Sequence, residues 1–143
     1  MLFPGKSQCK DNRQREVVSE EAENCHIVKN LSQYCIYHYH IDGDIIPKDD
    51  TSGERCDYIV EVATQPKPTA FIIELKGSNL LKAARQIEAT LTRYRQQLAN
   101  YEIHPRIICH YITTNAIHNN VFIRFKDKYP KLKYKARMLI DTI

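Results

Sequence analysis

At 143 residues the chain has room for one domain with a single sizeable core and not for two. It contains no run of about 18 apolar residues, which excludes a transmembrane helix, and the opening Met1-Leu2-Phe3-Pro4-Gly5-Lys6 lacks the apolar core of a secretion signal. The net charge of +4 is uneven: residues 1–75 carry 8 basic and 13 acidic side chains, residues 76–143 carry 13 and 4. Such asymmetry points to a polyanionic partner for the second half, compatible with nucleic acid. Five cysteines (Cys9, Cys25, Cys35, Cys56, Cys109) follow no close metal spacing, so reduced thiols in a cytoplasmic protein are expected.

From about Asp11 to Cys25 there are few breakers, and Val17, Val18, Ala22 and Cys25 recur at helical spacing. A helix is expected there, with Glu16, Glu20 and Glu23 on another side. A strand follows near Tyr34–Ile41, rich in aromatic and branched residues. Asp42-Gly43-Asp44 reads as a turn and Lys48–Gly53 as a loop. The next strand spans about Cys56–Ala63, and Gln65-Pro66-Lys67-Pro68 links it to Ala70-Phe71-Ile72-Ile73-Glu74-Leu75-Lys76-Gly77. That link is too short for a helical crossover, so the two strands should form an antiparallel hairpin.

A long helix is expected from about Asn79 to Asn100, with Leu80, Ala84, Ile87, Leu91, Tyr94 and Leu98 as its buried stripe and Ser78 or Asn79 as cap. Gly77 eases the turn into it. Pro105 closes the next loop before a strand from Arg106 to Thr113. Asn115–Asn120 is turn-like, and a last strand is expected near Leu132–Leu139. The order of elements gives an α/β fold with a central mixed β-sheet flanked by helices.

The charged end of the apolar strand carries the chemistry. Glu74 and Lys76 share one strand face while Phe71, Ile73 and Leu75 take the other. An acid and a base at the rim of an apolar sheet are costly to desolvate unless something pairs with them. A divalent cation held by Asp57 and Glu74, with the Leu75 carbonyl as a further oxygen, would supply the pairing. Mg²⁺ suits hard oxygen donors and phosphodiester hydrolysis. Lys76 would orient the attacking water, help to deprotonate it, or stabilise the phosphate transition state. All of this requires a register that brings Asp57 and Glu74 to one end of the sheet. Solvated charges at a hairpin end would give the same residues.

Asp57 on one strand, Glu74-Leu75-Lys76 on the next and a long helix after them resemble the PD-(D/E)XK, or restriction-endonuclease-like, nuclease superfamily. The resemblance covers about Tyr34 to Thr114, and Cys56 stands where the motif's name has proline. It implies a restriction-endonuclease-like core and metal-dependent cleavage of nucleic acid, DNA ahead of RNA, with Mg²⁺ (or Mn²⁺ in its place). Asp57 and Glu74 would then be metal ligands and Lys76 the catalytic lysine. Many relatives add a glutamine on the following helix. Gln86 and Gln97 both fit, and Gln86 lies nearer the strand end. Some use a glutamate from an N-terminal helix, for which Glu20 is the central choice among Glu16, Glu20 and Glu23.

Gln86, Thr90, Arg93 and Gln97 form a polar strip on the helix, with Arg93 placed for a phosphate farther along the cleft. A solvated helix face explains the strip equally. Between Arg124 and Arg137 stand seven basic residues, interleaved with Phe125, Tyr129 and Tyr134. Lys131, Lys133, Lys135 and Arg137 alternate, so a strand would show them on one side to successive phosphates. An edge strand protected by lysines is the alternative. His38 and His40 share a strand face, but nothing completes a zinc site around them. His104, His110 and His118 have no partner at motif spacing.

These readings converge on a single nuclease-like domain over residues 1–143. A two-fold dimer would be a simple way for so short a chain to address both strands of a duplex. A non-catalytic nucleic-acid-binding or protein-interaction module on the same fold is the alternative.

Overall fold

The computed structural model describes residues 1–75 and 77–143. Among them run, in chain order, β1 (Glu16–Glu21), β2 (Asn24–Lys29), β3 (Ile36–His40), β4 (Tyr58–Val62), β5 (Thr69–Glu74), α1 (Leu80–Arg93), β6 (Glu102–Cys109), α2 (Thr114–Ile117), α3 (Asn120–Lys128), β7 (Lys133–Ala136) and β8 (Met138–Thr142). The strands make two mixed sheets, a five-stranded one ordered β3-β4-β5-β6-β7 and a three-stranded one ordered β1-β2-β8.

β5 is central, and every residue from Thr69 to Glu74 is buried. Its unbroken apolar run is what a strand covered on both faces requires. On one face Ala70 and Ile72 pack with Tyr39, Ile59 and Ile107 against Leu80, Ala84 and Ile87 of α1 and Phe122 and Phe125 of α3. On the other, Phe71, Ile73 and Leu75 pack with Val60, Val62 and Ile108 against Val17, Val28 and Leu139 of the small sheet. The layers are therefore helices, large sheet, small sheet. The expected helical flanking holds for one face only.

The N-terminal helix is replaced by the β1–β2 hairpin, paired from Glu16↔Lys29 to Glu21↔Asn24. The turn residues Ala22 (φ 50°) and Glu23 (φ 68°) both adopt the left-handed conformation. A two-residue hairpin loop requires this, and Asn-Gly or Asp-Gly normally supplies it. With neither present the turn is silent in the sequence, and Val17, Val18, Ala22 and Cys25 fit helical spacing by coincidence. Alternation governs instead, with Val17 and Ser19 buried and Val18 and Glu20 exposed.

The β4–β5 hairpin is antiparallel, as expected, and α1 starts on the Asn79 cap, whose Oδ1 accepts from the N–H groups of Leu81 and Lys82 at 3.0 and 3.1 Å. Gly77 has φ +82°, a conformation costly for any residue with a Cβ. The helix ends at Arg93, seven residues before the expected Asn100. Successive turns (Leu98 N–H to Tyr94 O, Tyr101 N–H to Leu98 O) keep Tyr94 and Leu98 in the core while shortening the path to β6.

β6 begins before Pro105 rather than after it. Pairing with β7 starts only at Arg106↔Lys133, so at Pro105 one side of β6 has no ladder partner and the missing N–H breaks nothing. The expected final strand is two strands broken at Arg137 (φ 68°). Its N–H donates to the Cys109 carbonyl of β6 and its carbonyl accepts from Cys25 of β2 (2.8 and 2.9 Å), so one residue passes the chain between sheets.

Beneath this crossing lies a buried charged joint. Asp141 of β8 accepts from Arg106 Nε (2.6 Å) and Nη2 (3.0 Å) and bonds His26 Nε2 (2.8 Å). Burial opposes the Asp141 charge, but His26 and Arg106 overcome it and hold the carboxyl well below the usual range. Glu61 anchors the opposite end of β4, accepting from Tyr39 (2.9 Å), Tyr101 (2.5 Å) and the Leu2 N–H (2.8 Å).

His38 supplies a pH dependence. It bonds Ser19 Oγ at 2.9 Å and stacks on Tyr58, linking the two sheets. Burial, with His40 and His26 adding to it, pushes its pKa down to about 4. The unfolded chain, with a histidine pKa of about 6.5, then binds the extra proton between those values. Stability should fall as pH drops from about 6.5 to 4, by on the order of 3 kcal/mol for this one group. Urea midpoints at pH 7 and pH 4.5 test this, and His38→Gln should flatten the difference.

Candidate functional site

The β4–β5 register runs Tyr58↔Ile73 and Ile59↔Ile72, which sets Asp57 opposite Glu74 one step beyond the ladder. The Asp57 N–H donates to the Ile73 carbonyl at 3.0 Å, and the Leu75 N–H donates to Asp57 Oδ2 at 2.8 Å. Glu74 continues the α1-side column of Ala70 and Ile72, while Asp57 stands at a bend just before β4, its N–H turned to β5 and its carbonyl to β3. Both are fully buried. Lys76, the expected catalytic lysine, lies outside the described residues.

Thr90 fixes the approach to Asp57. Its Oγ1 accepts from the Cys56 N–H at 2.7 Å and donates to the Gln86 carbonyl at 2.9 Å, with no solvent exposure. It is therefore an anchor between α1 and β4, not part of the solvated strip expected on the helix. Cys56 is buried beside the two acids. Its thiol pKa rises through burial and, secondarily, through the charges of Glu74 and Asp57, so it stays protonated.

Arg55, also buried, gathers the loop before Asp57. Its Nε donates to Asp42 Oδ1 at 3.0 Å, and its terminal nitrogens reach the carbonyls of Asp50 (2.7 Å), Gly53 (3.1 Å) and Pro47 (3.0 Å). Asp57 is thus held from the loop side, the helix side and the neighbouring strand.

The small sheet contributes Asn24. Its side chain has no solvent exposure, and its Nδ2 donates to the Leu75 carbonyl. Across the hairpin from Asn24 stands Glu21. By strand alternation Glu21 shares the inner face with Val17 and Ser19, whereas Glu20 stands on the exposed outer face with Val18. Glu20 meets this region only through its backbone carbonyl, which accepts from Tyr58 Oη at 3.4 Å. The period-2 pattern of a strand turns outward the glutamate that central position alone favoured.

Gln86 lies on α1 beside a cavity of about 170 Å³ that it lines with Gly77, Asn79 and Lys82. Arg93, at the far end of the helix, donates to Ser52 Oγ at 2.8 Å. Gln97 is beyond the helix. A roomier cleft of about 430 Å³, between α1 and α3, is lined by Leu81, Ala84, Val121 and Phe125 and includes none of the expected catalytic or metal-binding residues.

The basic row is only partly continuous. Lys133 and Lys135 are exposed on β7, Lys131 precedes the strand and Arg137 follows it at the break. Lys133 reaches Asp141 Oδ1 at 3.1 Å, Lys131 reaches Glu102 at 3.8 Å, and Arg137 reaches Glu23 at 3.6 Å. Arg124, Lys126 and Lys128 belong to α3. His38 and His40 both stack against Tyr58, at 5.0 and 4.7 Å between centroids. Among the described residues no group of three or more His, Cys, Asp or Glu side chains is arranged to hold a metal ion.

No protein-family model, no curated protein and no solved structure matches this chain. The groups gathered at this strand end, two carboxylates and the Leu75 carbonyl, are all oxygen donors.

Thr90→Val keeps the shape of the anchor and removes the acceptor for Cys56. Leaving that N–H buried and unpaired should cost about 1–3 kcal/mol. The expected readout is a lower thermal midpoint, with faster amide exchange concentrated at Cys56 and Asp57. A uniform rise in exchange across the chain would mean that Thr90 has no local hold on the acid.

Proposed function

We propose that this chain is a Mg²⁺-dependent nuclease of the PD-(D/E)XK type, with a restriction-endonuclease-like core, acting on DNA ahead of RNA. The observation that carries the reading is the β4–β5 register, which places buried Asp57 opposite buried Glu74 at the end of a hairpin that leads into α1. Two carboxylates brought together at one end of a hairpin are hard oxygen donors of the kind a divalent cation takes.

In this reading Asp57 and Glu74 hold the ion, with the Leu75 carbonyl beside them. Bound there, Mg²⁺ would supply Lewis-acid stabilisation of phosphate oxygens and a more acidic water. Lys76, assigned from the sequence motif alone, contributes a positive charge near the reacting phosphate. Gln86 orients substrate or water from the helix side. Arg55 and Thr90 keep Asp57 in position, and Glu20 drops out as a direct participant. Arg93, Lys131, Lys133, Lys135 and Arg137 contact backbone phosphates without reading sequence.

Full burial of both acids favours a second reading, a nucleic-acid-binding module of the same architecture without turnover. The two separate in one experiment. Labelled duplex, branched and single-stranded DNA and RNA are incubated with Mg²⁺, Mn²⁺ or EDTA. The nuclease reading expects metal-dependent cleavage, reduced at least 10²-fold in Asp57→Asn, Glu74→Gln and Lys76→Ala. Equal binding in EDTA and Mg²⁺ with no product from any substrate would select the binding module.

Salt dependence tests the basic row independently of cleavage. With DNA bound in Ca²⁺ or EDTA, Lys131→Ala and Lys135→Ala together should reduce the slope of log K against log salt by roughly 2, about one per phosphate contact. An unchanged slope would assign the row to protection of a sheet edge.

A further inference from the structure

We propose that Arg137, held in place by His110, binds a backbone phosphate of the nucleic acid at the same end of the large sheet as Asp57 and Glu74; the inference deepens the nuclease reading and rests on it. Three parallel strands finish together at that end. Glu74 closes β5 opposite Ile107 of β6, and β6 continues to Cys109 beside Ala136 of β7. Past the ladder, the His110 N–H donates to the Gly77 carbonyl at 3.3 Å, and the Arg137 N–H donates to the Cys109 carbonyl at 2.8 Å. Gly77, His110 and Arg137 therefore stand along one edge. Neighbouring strands lie about 4.8 Å apart, so Arg137 at the end of β7 is roughly 10 Å to the side of β5. Ligands of open α/β sheets lie beyond the carboxyl ends of the strands, which is where this edge faces.

The side chain at this position is not what the crossing between sheets needs. Arg137 has φ 68°, a left-handed backbone that glycine adopts freely, asparagine with little penalty and arginine only with strain. The crossing uses the N–H and the carbonyl of the residue, which glycine would supply as well. Strained backbone of this kind clusters at functional sites, and here the guanidinium is what the strain retains. Its Nη1 donates to His110 Nδ1 at 3.0 Å. Arginine has no acceptor, so Nδ1 accepts and the neutral imidazole carries its proton on Nε2. One donor of five is spent in this way, and the bond orients the planar fork. The other contact is Glu23 at 3.6 Å, with the arginine 55% and the glutamate 87% exposed. An exposed pair of that kind yields readily to a phosphate, which takes a guanidinium through two parallel hydrogen bonds.

The test separates a phosphate contact from a structural strut. Arg137→Gly relieves the backbone and removes the guanidinium; Arg137→Asn does the same while keeping a side chain, and decides alone if the glycine variant does not fold. Melting points are recorded without nucleic acid, duplex DNA affinity is measured by fluorescence anisotropy in EDTA over a range of salt, and cleavage is followed separately in Mg²⁺. Both variants are expected to melt as high as the wild type or higher. Their slope of log K against log salt should fall by about one, alike for every duplex sequence, and cleavage at sub-saturating DNA should fall with it. His110→Leu should weaken binding, and His110→Gln, whose amide oxygen accepts from Nη1, should restore it. Equal behaviour of the two His110 variants overturns the positioning role. An unchanged slope in the Arg137 variants overturns the phosphate contact, as does a lower melting point in both, which would make the side chain a strut. Wild-type protein that binds duplex DNA but leaves it uncut in Mg²⁺ sinks the nuclease reading while the slopes still judge the contact. Wild-type cleavage with a full slope in Arg137→Gly sinks the inference alone.

Discussion

Two carboxylates with no solvent exposure, Asp57 and Glu74, sit side by side at the end of the central hairpin, and the cost of holding them there organises what surrounds them. Each layer sends one group to the place. The helix layer sends Thr90, which holds the Cys56 N–H and so fixes the residue before Asp57. The large sheet sends the Leu75 N–H onto Asp57 itself. The small sheet sends Asn24 onto the Leu75 carbonyl. A group held from three directions has little freedom to relax towards water, which is the preorganisation that a charged site needs and that a merely solvated hairpin end would lack.

That arrangement depends on the two sheets keeping their relative position. Hydrophobic packing between Val17, Val28 and Leu139 and the large sheet supplies attraction without direction. Direction comes from the polar links inside the same interface: Asp141 between Arg106 and His26, His38 on Ser19, and the Arg137 backbone between Cys109 and Cys25. A buried ion pair of this kind adds little net stability over a well-packed apolar substitute, but breaking one partner is severe. Its use here is to make one docking of the small sheet better than its neighbours. Asn24 lies on the same inner face as His26, two residues away, so a shift of the joint would carry the clamp on Leu75 with it.

Much of the large sheet is legible in the sequence because its signals are local. A short Pro-containing link forces the antiparallel hairpin, an unbroken apolar run marks the strand buried on both faces, and Asn79 marks the start of α1. Register does not follow from these signals; the structure supplies it, pairing Tyr58 with Ile73. The small sheet is illegible for an equally physical reason. Ala22 and Glu23 take positive φ without a glycine or asparagine to announce it, and six-residue strands separated by two residues carry helical and strand periods at once. On the expected helix Glu20 is singled out only by its central position among three glutamates, and strand alternation turns it outward. Thr90 was hidden differently: as a polar residue on a helix it reads as solvated until the Cys56 N–H that needs it is placed. Nothing local marks Arg106, His26 and Asp141 as partners, since their meeting spans 115 residues of chain between His26 and Asp141.

The basic second half gains meaning from the same distinction between buried and surface charge. Lys131 and Arg137 reach their acidic partners only across 3.8 and 3.6 Å, with both cations more than half exposed. Pairs of that kind are worth about 0–1 kcal/mol, comparable with what a phosphate offers in exchange, so they do not withhold those side chains from a polyanion. Lys133 differs. Its partner Asp141 is buried and already bonded to Arg106 and His26, so the lysine sits at the mouth of the joint that seats the small sheet. Of the two cations beside Asp141, Arg106 and Lys133, only Lys133 is exposed, and burial keeps the third partner, His26, towards its neutral form. Lys133 is therefore held more firmly by the fold than Lys131 and Arg137.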